Sequence, residues 1–403
     1  MALSSPPVIV SVQAIPVRLA RDLKAATGSA GSPSQLTEGA FAYRWSSTVK
    51  ALYSTFFETC LVKITLSNGL IGWGEAQAPL APRVAATIVE DLLRPVLVGQ
   101  PFNGSFGAIE HFWDEMYSTM RVRGQTTGFM IDAMAGVDIA LWDLAGHLHS
   151  LPVSWLIAGE QAKASVPAYL SGLTGADIAE RTEFAARHFS EGFRLYKIFF
   201  DQDEATLLNT LDALRERLGP DAYFAVDALW RLDPVSALRV GKALDERKAF
   251  WLEAPLMPED AAAHYTLRNA ISTPIALGES YRTALEMEPF FALGALQFLQ
   301  PDLGRTGITG GLRLAARAAA AGVEVVPHVS IALAPQIAAA LHFAAGVSQC
   351  RVCEYNPAVA EIANRYSNNV ISVRNAAYQM SASPGLGISV NETLLFADML
   401  AVG

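Results

Sequence analysis

Three cysteines in 403 residues cannot staple a chain of this length, so a reducing, cytoplasmic setting is expected. Positive charge is also scarce: 30 Lys and Arg against 39 Asp and Glu give a net charge of −9. A nucleic-acid surface needs clustered Lys and Arg, so that partner is excluded. A small anionic substrate stays compatible, because a local site can be basic inside an acidic protein. No basic stretch followed by a long apolar run opens Met1–Pro7, so no secretory leader is expected. No Gly-x-Gly-x-x-Gly follows the first strand pattern, which removes the dinucleotide fingerprint. One run, Val329–Cys350, has 22 residues without a formal charge, enough to span a bilayer. It contains Pro335, Gln336 and His342, and alanine dominates it rather than leucine. A helix packed between a sheet and its neighbours reads the same way, and no membrane partner is expected.

What the chain does have is apolar residue, 51% of the total, which rules out disorder. Its length suits two domains, or one barrel with an extra domain. Ile9–Arg18 and Phe56–Thr65 read as strands, and Ser67-Asn68-Gly69 turns the second into Leu70–Glu75 as a hairpin. Between them Ala26–Gln35 is small, polar and rich in Gly and Ser, and is expected to act as a lid. Helical spacing follows in Arg83–Leu97, Ser105–Met120 and Thr127–His149. From about residue 164 the pattern becomes short apolar strand, helix, short apolar strand. Eight such strands are expected: Val166–Leu170, Leu195–Phe199, Tyr223–Val226, Phe250–Leu252, Pro274–Leu277, Ala295–Leu299, Val323–Val326 and Arg351–Cys353. Helices such as Glu204–Leu218 and Pro234–Arg247 lie between them. Alternation of this kind is α/β, and eight strands predict a (β/α)8-type barrel.

Asp227, Glu253, Glu279, Asp302, His328 and Glu354 are spaced by 26, 26, 23, 26 and 26 residues, each just after one of these strands. Strand C-terminal ends of such a barrel share one mouth, so six side chains should converge. Acidic residues after strands also serve as helix N-caps, but six successive ends bearing only Asp, Glu or His exceed what capping requires. Asp227, Glu253 and Glu279 on adjacent strands would repel one another, and a divalent cation removes that cost. Oxygen ligands favour a hard ion, so Mg²⁺ is expected, with Mn²⁺ as a substitute. Asp302 beside His328 would fix the imidazole tautomer and raise its basicity, making a general base. Lys197, one of seven lysines, interrupts an apolar strand and should face the acids. Glu354 would face the metal from the far side and donate a hydrogen bond to developing charge. Ser171 and Arg231 are candidate substrate contacts, with Arg121, Arg123, Tyr43, Arg44 and Trp45 less specific ones. Cys350-x-x-Cys353 has no second pair to complete a zinc site and reads as core.

Several stretches carry a family resemblance: Ala135–Gly146 (AGVDIALWDLAG), Phe224–Ala228, Phe250–Pro255, Ala276–Glu279, Gln300–Asp302, Val326–His328 and Cys353–Glu354. In this order the chain resembles the enolase superfamily, in its mandelate racemase/muconate lactonizing branch and mandelate-racemase-like subgroup. The resemblance implies an N-terminal α+β capping domain (1–130) joined by the returning segment 371–403, and a modified TIM barrel over 131–370. It implies that Asp227, Glu253 and Glu279 bind Mg²⁺, that Asp302–His328 is the base dyad, and that Glu354 is the electrophilic partner of a substrate carboxylate oxygen. The shared step is removal of a proton α to a carboxylate. Two departures matter. Relatives using both faces carry Lys-x-Lys on the second barrel strand, whereas this chain reads Lys197-Ile198-Phe199. The Asn often found two residues after the first metal Asp is Leu229. With one base lost, racemisation is disfavoured, and Mg²⁺-dependent dehydration of an acid sugar is the expected reaction. Cycloisomerisation of a sugar-acid lactone is the alternative, and racemase or epimerase chemistry comes third. The expected partners are a small anionic substrate and copies of the same chain in a homo-oligomer.

Overall fold

The computed structural model describes residues 5–21, 42–47 and 49–402. The segment Ala26–Gln35, expected as a lid, lies outside the described residues. β-Branched residues (Ile9, Val10, Val12, Ile15 and Val17) dominate β1 (Ile9–Ala20). A second hairpin intervenes, β2 (Tyr43–Ser46) with β3 (Ala51–Ser54), followed by β4 (Phe56–Leu66) and β5 (Ile71–Ala76). Strands β1, β4 and β5 make an antiparallel sheet in that order. The β2–β3 hairpin was not expected, because the four-residue strands give too few alternations to register as a pattern. The expected single helix over Arg83–Leu97 is three segments, Pro82–Thr87, a wider π-type turn Ile88–Leu93, and Arg94–Leu97. Pro95 in the first turn of the last segment cannot donate to the preceding turn, which accounts for the break.

The helix Phe129–His149 is buried from Met130 to Gly146 and joins the sheet to the rest of the molecule. It rests directly on β5: a Cβ added at Gly74 would lie 1.9 Å from the Gly136 carbonyl oxygen, and one at Gly72 would lie 2.4 Å from that of Ala140. Three aspartates on this apolar helix each tie down a different element. Asp132 pairs with Arg282 Nε at 2.9 Å, Asp138 accepts from Thr309 N at 2.9 Å, and Asp143 accepts from Trp73 N at 2.9 Å and Leu386 N at 2.7 Å. Buried carboxylates are tolerated only when paired in this way.

Eight parallel strands follow: β6 (Ser165–Ser171), β7 (Leu195–Phe199), β8 (Tyr223–Asp227), β9 (Leu252–Glu253), β10 (Ile275–Leu277), β11 (Phe298–Leu299), β12 (Glu324–Val325) and β13 (Cys353–Tyr355). Each of β6 to β11 pairs with the next, β13 pairs with β6, and a Val325–Cys350 bridge joins β12 to the chain just before β13. The eight expected strands are all present, and the ring is closed. Tyr169, Ala225, Trp251, Ala276 and Val326 fill its interior, large rings alternating with small side chains. A hairpin of β14 (Val373–Arg374) and β15 (Ala377–Gln379), also unexpected, adds antiparallel to the start of β6. The chain then returns to the first sheet, where Leu400 N donates to Arg18 O at 2.8 Å and Lys63 pairs with Glu392 at 2.7 Å. Cys60, Cys350 and Cys353 are free and buried. Among the described residues no helix is long and apolar enough to cross a membrane; the uncharged run contributes the helix Ala334–Gly346.

Because β5 and the long helix meet at backbone distance, Gly74→Ala should lower stability by about 1–3 kcal/mol through overpacking. The urea unfolding midpoint reads this out. An unchanged midpoint would mean the helix does not rest on the β5 backbone.

Candidate active site

Side chains alternate along a strand, so residues two positions beyond the barrel's interior layer point into its mouth. Ala225 leads to Asp227, Trp251 to Glu253 and Val326 to His328. The same step leads from Leu195 to Lys197 and on to Phe199, with Lys197 paired in register with Ala225 and Phe199 with Asp227. Asp227, Glu253, Asp302 and Glu354 are almost wholly buried, as is Lys197 at 1% exposure.

Lys197 is the centre of the cluster. Its Nζ lies 2.8 Å from Glu253 Oε1, 2.8 Å from Glu354 Oε1 and 3.6 Å from Asp227 Oδ2. Burial alone would lower its pKa, but Glu253 and Glu354, with Tyr169 and Asp227, carry it well above the usual lysine value. In this arrangement three carboxylates favour the ammonium form. The Phe199 ring lies 5.4 Å from the same nitrogen, so the position where relatives place a second lysine is an aromatic face.

His328 bridges two carboxylates, with Nδ1 2.8 Å from Asp302 Oδ2 and Nε2 2.9 Å from Glu279 Oε2. Burial works against its charged form, but Glu279 and Asp302 outweigh this and raise its pKa well above the usual value. Glu279 responds in the opposite sense: burial would raise it, yet His328 draws it down to about 2. The Trp230 indole N–H also donates to Glu279. Asp302 combines both readings of an acid after a strand. Its Oδ1 caps the helix Leu303–Ala320 through Gly304 N at 2.9 Å, while Oδ2 holds the imidazole.

The three carboxylates expected to converge on one cation reach the right strand ends, but their side chains turn elsewhere. Glu253 gives Oε1 to Lys197 and Oε2 to Trp251 Nε1 at 3.0 Å and Gln300 Nε2 at 2.7 Å. Glu279 is engaged by His328 and Trp230. Among the described residues, no three His, Cys, Asp or Glu side chains stand close enough to hold a metal ion directly. The reason is electrostatic: Lys197 and His328 are the nearest positive charges, and the carboxylates rotate to them. The donor set still fits a hard divalent cation. Asp227 is pushed well above the usual carboxylate range, first by burial and then by Glu253 and Glu279, which is the mark of anionic crowding that a cation relieves.

Glu354 meets Lys197 from the eighth strand. Burial would raise its pKa, but Lys197 and His328 lower it, and its Oε2 accepts from Val329 N at 3.0 Å. Its Oε1 faces Lys197 at 2.8 Å, so both oxygens are engaged within the protein. Ser171 lies at the end of β6, buried and close enough to favour the ionised Glu354, without a well-aligned hydrogen bond. Arg231 is not brought to the carboxylates. Its Nη1 donates to Phe200 O at 2.7 Å and its guanidinium covers the Phe200 ring, beside a cavity of about 280 Å³ outside the mouth. Arg121 and Arg123 are exposed at the end of the helix Phe106–Arg121. Tyr43 is occupied by Glu58 and by Ala81 N, and Trp45 is 61% exposed.

Sequence reasoning missed Tyr53, Trp230, Trp251 and Gln300. Tyr53 on β3 brings the capping hairpin to the mouth: burial, then Glu279 and Asp227, raise the pKa of its phenol. Trp251 and Gln300 stand two residues before Glu253 and Asp302, so strand alternation could have found them. No such signal marks Tyr53. Leu229, Trp230 and Ala254, directly after the strand ends, have positive φ (56°, 57° and 45°), a sparsely populated conformation for side-chain-bearing residues that recurs at functional sites.

The Mandelate racemase / muconate lactonizing enzyme N-terminal domain family matches residues 51–158, and the Enolase C-terminal domain-like family matches 180–394. A D-galactarolactone cycloisomerase of Agrobacterium fabrum is 32% identical over 349 residues, covering 83% of this chain and 89% of its own. A D-galactonate dehydratase of Klebsiella pneumoniae is 28% identical, covering 82% and 88%. The crystal structure of an enolase superfamily member from Agrobacterium tumefaciens superposes with a TM-score of 0.89 at 30% identity, covering 98% and 99% of the two chains. With a capping sheet, a closed eight-stranded barrel and an acid-rich mouth behind those matches, the chain belongs to the mandelate racemase/muconate lactonizing family of the enolase superfamily.

Proposed function

We propose that the protein removes the proton α to the carboxylate of an acid sugar and expels the β-hydroxyl, giving a 2-keto-3-deoxy acid, in a Mg²⁺-dependent reaction. The observation that supports this most is asymmetry across the mouth: the Asp302–His328 pair on one side and Phe199, which cannot accept a proton, beside Lys197 on the other. Asp227, Glu253 and Glu279 are the residues proposed to hold Mg²⁺, the metal that superfamily members generally use. When bound, it supplies concentrated positive charge beside a substrate carboxylate and competes with His328 for Glu279.

Once parted from Glu279, His328 gives up its Nε2 proton to solvent; the neutral Nε2 takes the α proton, and Asp302 holds Nδ1–H and stabilises the imidazolium that forms. The C–H electron pair moves into the enolate, whose charge faces the Lys197 ammonium. The enolate then breaks the β C–O bond, and the imidazolium returns its proton so that water leaves from the same face. Tautomerisation of the resulting enol gives the keto acid. Glu354 becomes an electrophilic partner only after gaining a proton, which a substrate carboxylate approaching Lys197 would favour by drawing that cation away. Ser171 remains a candidate substrate contact, Tyr53 joins it from the capping hairpin, and Arg231 is better read as a structural residue.

A second reading is cycloisomerisation of a sugar-acid lactone, favoured by the 32% identity to the D-galactarolactone cycloisomerase against 28% to the D-galactonate dehydratase. Proton removal is the same, but the β C–O bond that breaks is the one to the lactone ring oxygen, which leaves as a carboxylate in place of hydroxide.

A Mg²⁺-supplemented screen of mono- and diacid sugars and their lactones tests the reading. Keto-acid formation with net loss of water supports dehydration, an isomeric product supports cycloisomerisation, and no turnover on any of them rejects both. In His328→Asn, folding and Mg²⁺ binding should persist while α-proton exchange in deuterated water disappears. Turnover retained within about tenfold, or ~1.4 kcal/mol of barrier, would remove His328 from the base role. Glu253→Gln should weaken Mg²⁺ binding measured by calorimetry, with excess metal restoring part of the activity. Unchanged affinity would show that Glu253 is not a ligand.

A further inference from the structure

The proposed base is held from outside the barrel. Glu75 is the penultimate residue of β5 in the N-terminal sheet and is wholly buried. Its Oε1 accepts from Thr59 Oγ1 at 2.7 Å and from Leu333 N at 2.8 Å, and its Oε2 accepts from Gln336 N at 3.1 Å. Those two amides open the helix Ala334–Gly346, whose own N-cap residue, Leu333, offers no side-chain acceptor. Glu75 thus supplies in trans the carboxylate that a helix N-terminus favours.

The same turn of helix reaches the dyad. Gln336 Nε2 donates to Asp302 Oδ1 at 2.9 Å, on the carboxylate whose other oxygen holds His328 Nδ1. Two residues beyond Glu75, Gln77 grips both loops that carry the pair. Its backbone N–H donates to Gly304 O at 2.8 Å, and its Nε2 donates to Ser330 Oγ at 3.1 Å. Gly304 N is the other donor to Asp302 Oδ1. The close fit at Gly304, where an added Cβ would lie 2.4 Å from Gln336 Oε1, leaves little slack between the two loops.

We infer that Glu75 is a positioning residue for the proton-transfer pair, acting through the N-terminus of the helix Ala334–Gly346 and Gln336 to fix Asp302 and hence the orientation of His328. The inference rests on the reading of Asp302–His328 as the base. A carboxylate with one oxygen shared by two donors has its plane fixed, and the imidazole hydrogen-bonded to it inherits that plane. The capping sheet would then set the direction of the base as well as cover the mouth.

Two variants of the full-length, Mg²⁺-loaded chain test this. Glu75→Gln keeps shape but replaces one acceptor oxygen with a donor that faces a backbone N–H. Gln336→Met removes the contact to Asp302 and leaves Glu75 in place. The readouts are kcat and KM on an accepted substrate, and the downfield proton resonance of His328 Nδ1–H, identified by its absence in His328→Asn. Each variant should shift or broaden that resonance and lower kcat by about 10–100-fold, the usual effect of losing a group that orients a histidine. KM should move by less than about threefold, and the double variant should be no slower than the slower single one, because both lie on one path. If Glu75→Gln fails to fold by circular dichroism, Gln336→Met decides alone. An unchanged resonance with kcat within about twofold in Gln336→Met, or fully additive losses in the double variant, overturns the inference. If the wild-type chain turns over no acid sugar or lactone, the functional reading has failed, and the resonance by itself decides whether Glu75 and Gln336 orient His328.

Discussion

Five carboxylates, Asp227, Glu253, Glu279, Asp302 and Glu354, crowd a mouth that contains two cationic side chains, Lys197 and His328. Buried charge of one sign is costly, so each carboxylate turns towards whichever cation or N–H lies within reach. That single constraint accounts for the rotation of Glu253 to Lys197, for the Glu279–His328 contact, and for the raised pKa of Asp227, where burial combines with crowding by two neighbouring acids. It also accounts for the chemistry proposed. Asp227, Glu253 and Glu279 are the residues that would hold a hard cation, which would supply the missing positive charge and would leave His328 free of Glu279.

Delivering these groups to one point is a property of the strand pleat. Interior residues as large as Trp251 and Tyr169 close the floor, their rings in edge contact at 5.3 Å, so the next inward-facing position on each strand opens into the mouth. Beyond the strand ends the backbone is less regular. Positive φ at Leu229, Trp230 and Ala254 turns the chain sharply enough for Trp230 to reach Glu279, and the N-terminal sheet braces the far side through Glu75 and Gln77.

The barrel was legible in the sequence because its signal is repeated: eight apolar runs, and acidic or histidine residues about 26 apart, survive errors of a residue or two at each boundary. Asp302 and His328 were legible as a pair because their strands are adjacent. Side-chain direction was not. Spacing places Asp227, Glu253 and Glu279 at neighbouring strand ends, but whether they face a shared centre depends on the competing pull of Lys197 and His328, which is a tertiary effect. Glu354 shows the same limit, since its pairing with Lys197 is also a tertiary contact. Arg231 illustrates a different one: a guanidinium near the mouth finds the Phe200 carbonyl and ring first. Short hairpins such as β2–β3 carry too little alternation to be read, and with them Tyr53 was lost.

The proposed chemistry needs one base. Incubating both α-epimers of an accepted substrate in deuterated water, with Mg²⁺, and following label at the α carbon tests this directly. A base on the His328 side alone, facing Phe199 and a Lys197 paired with Glu253 and Glu354, predicts deuterium in only the epimer whose α proton points towards His328. Deuterium in both epimers, with the second pattern abolished by Lys197→Met, would contradict it and make the protein a two-base racemase or epimerase.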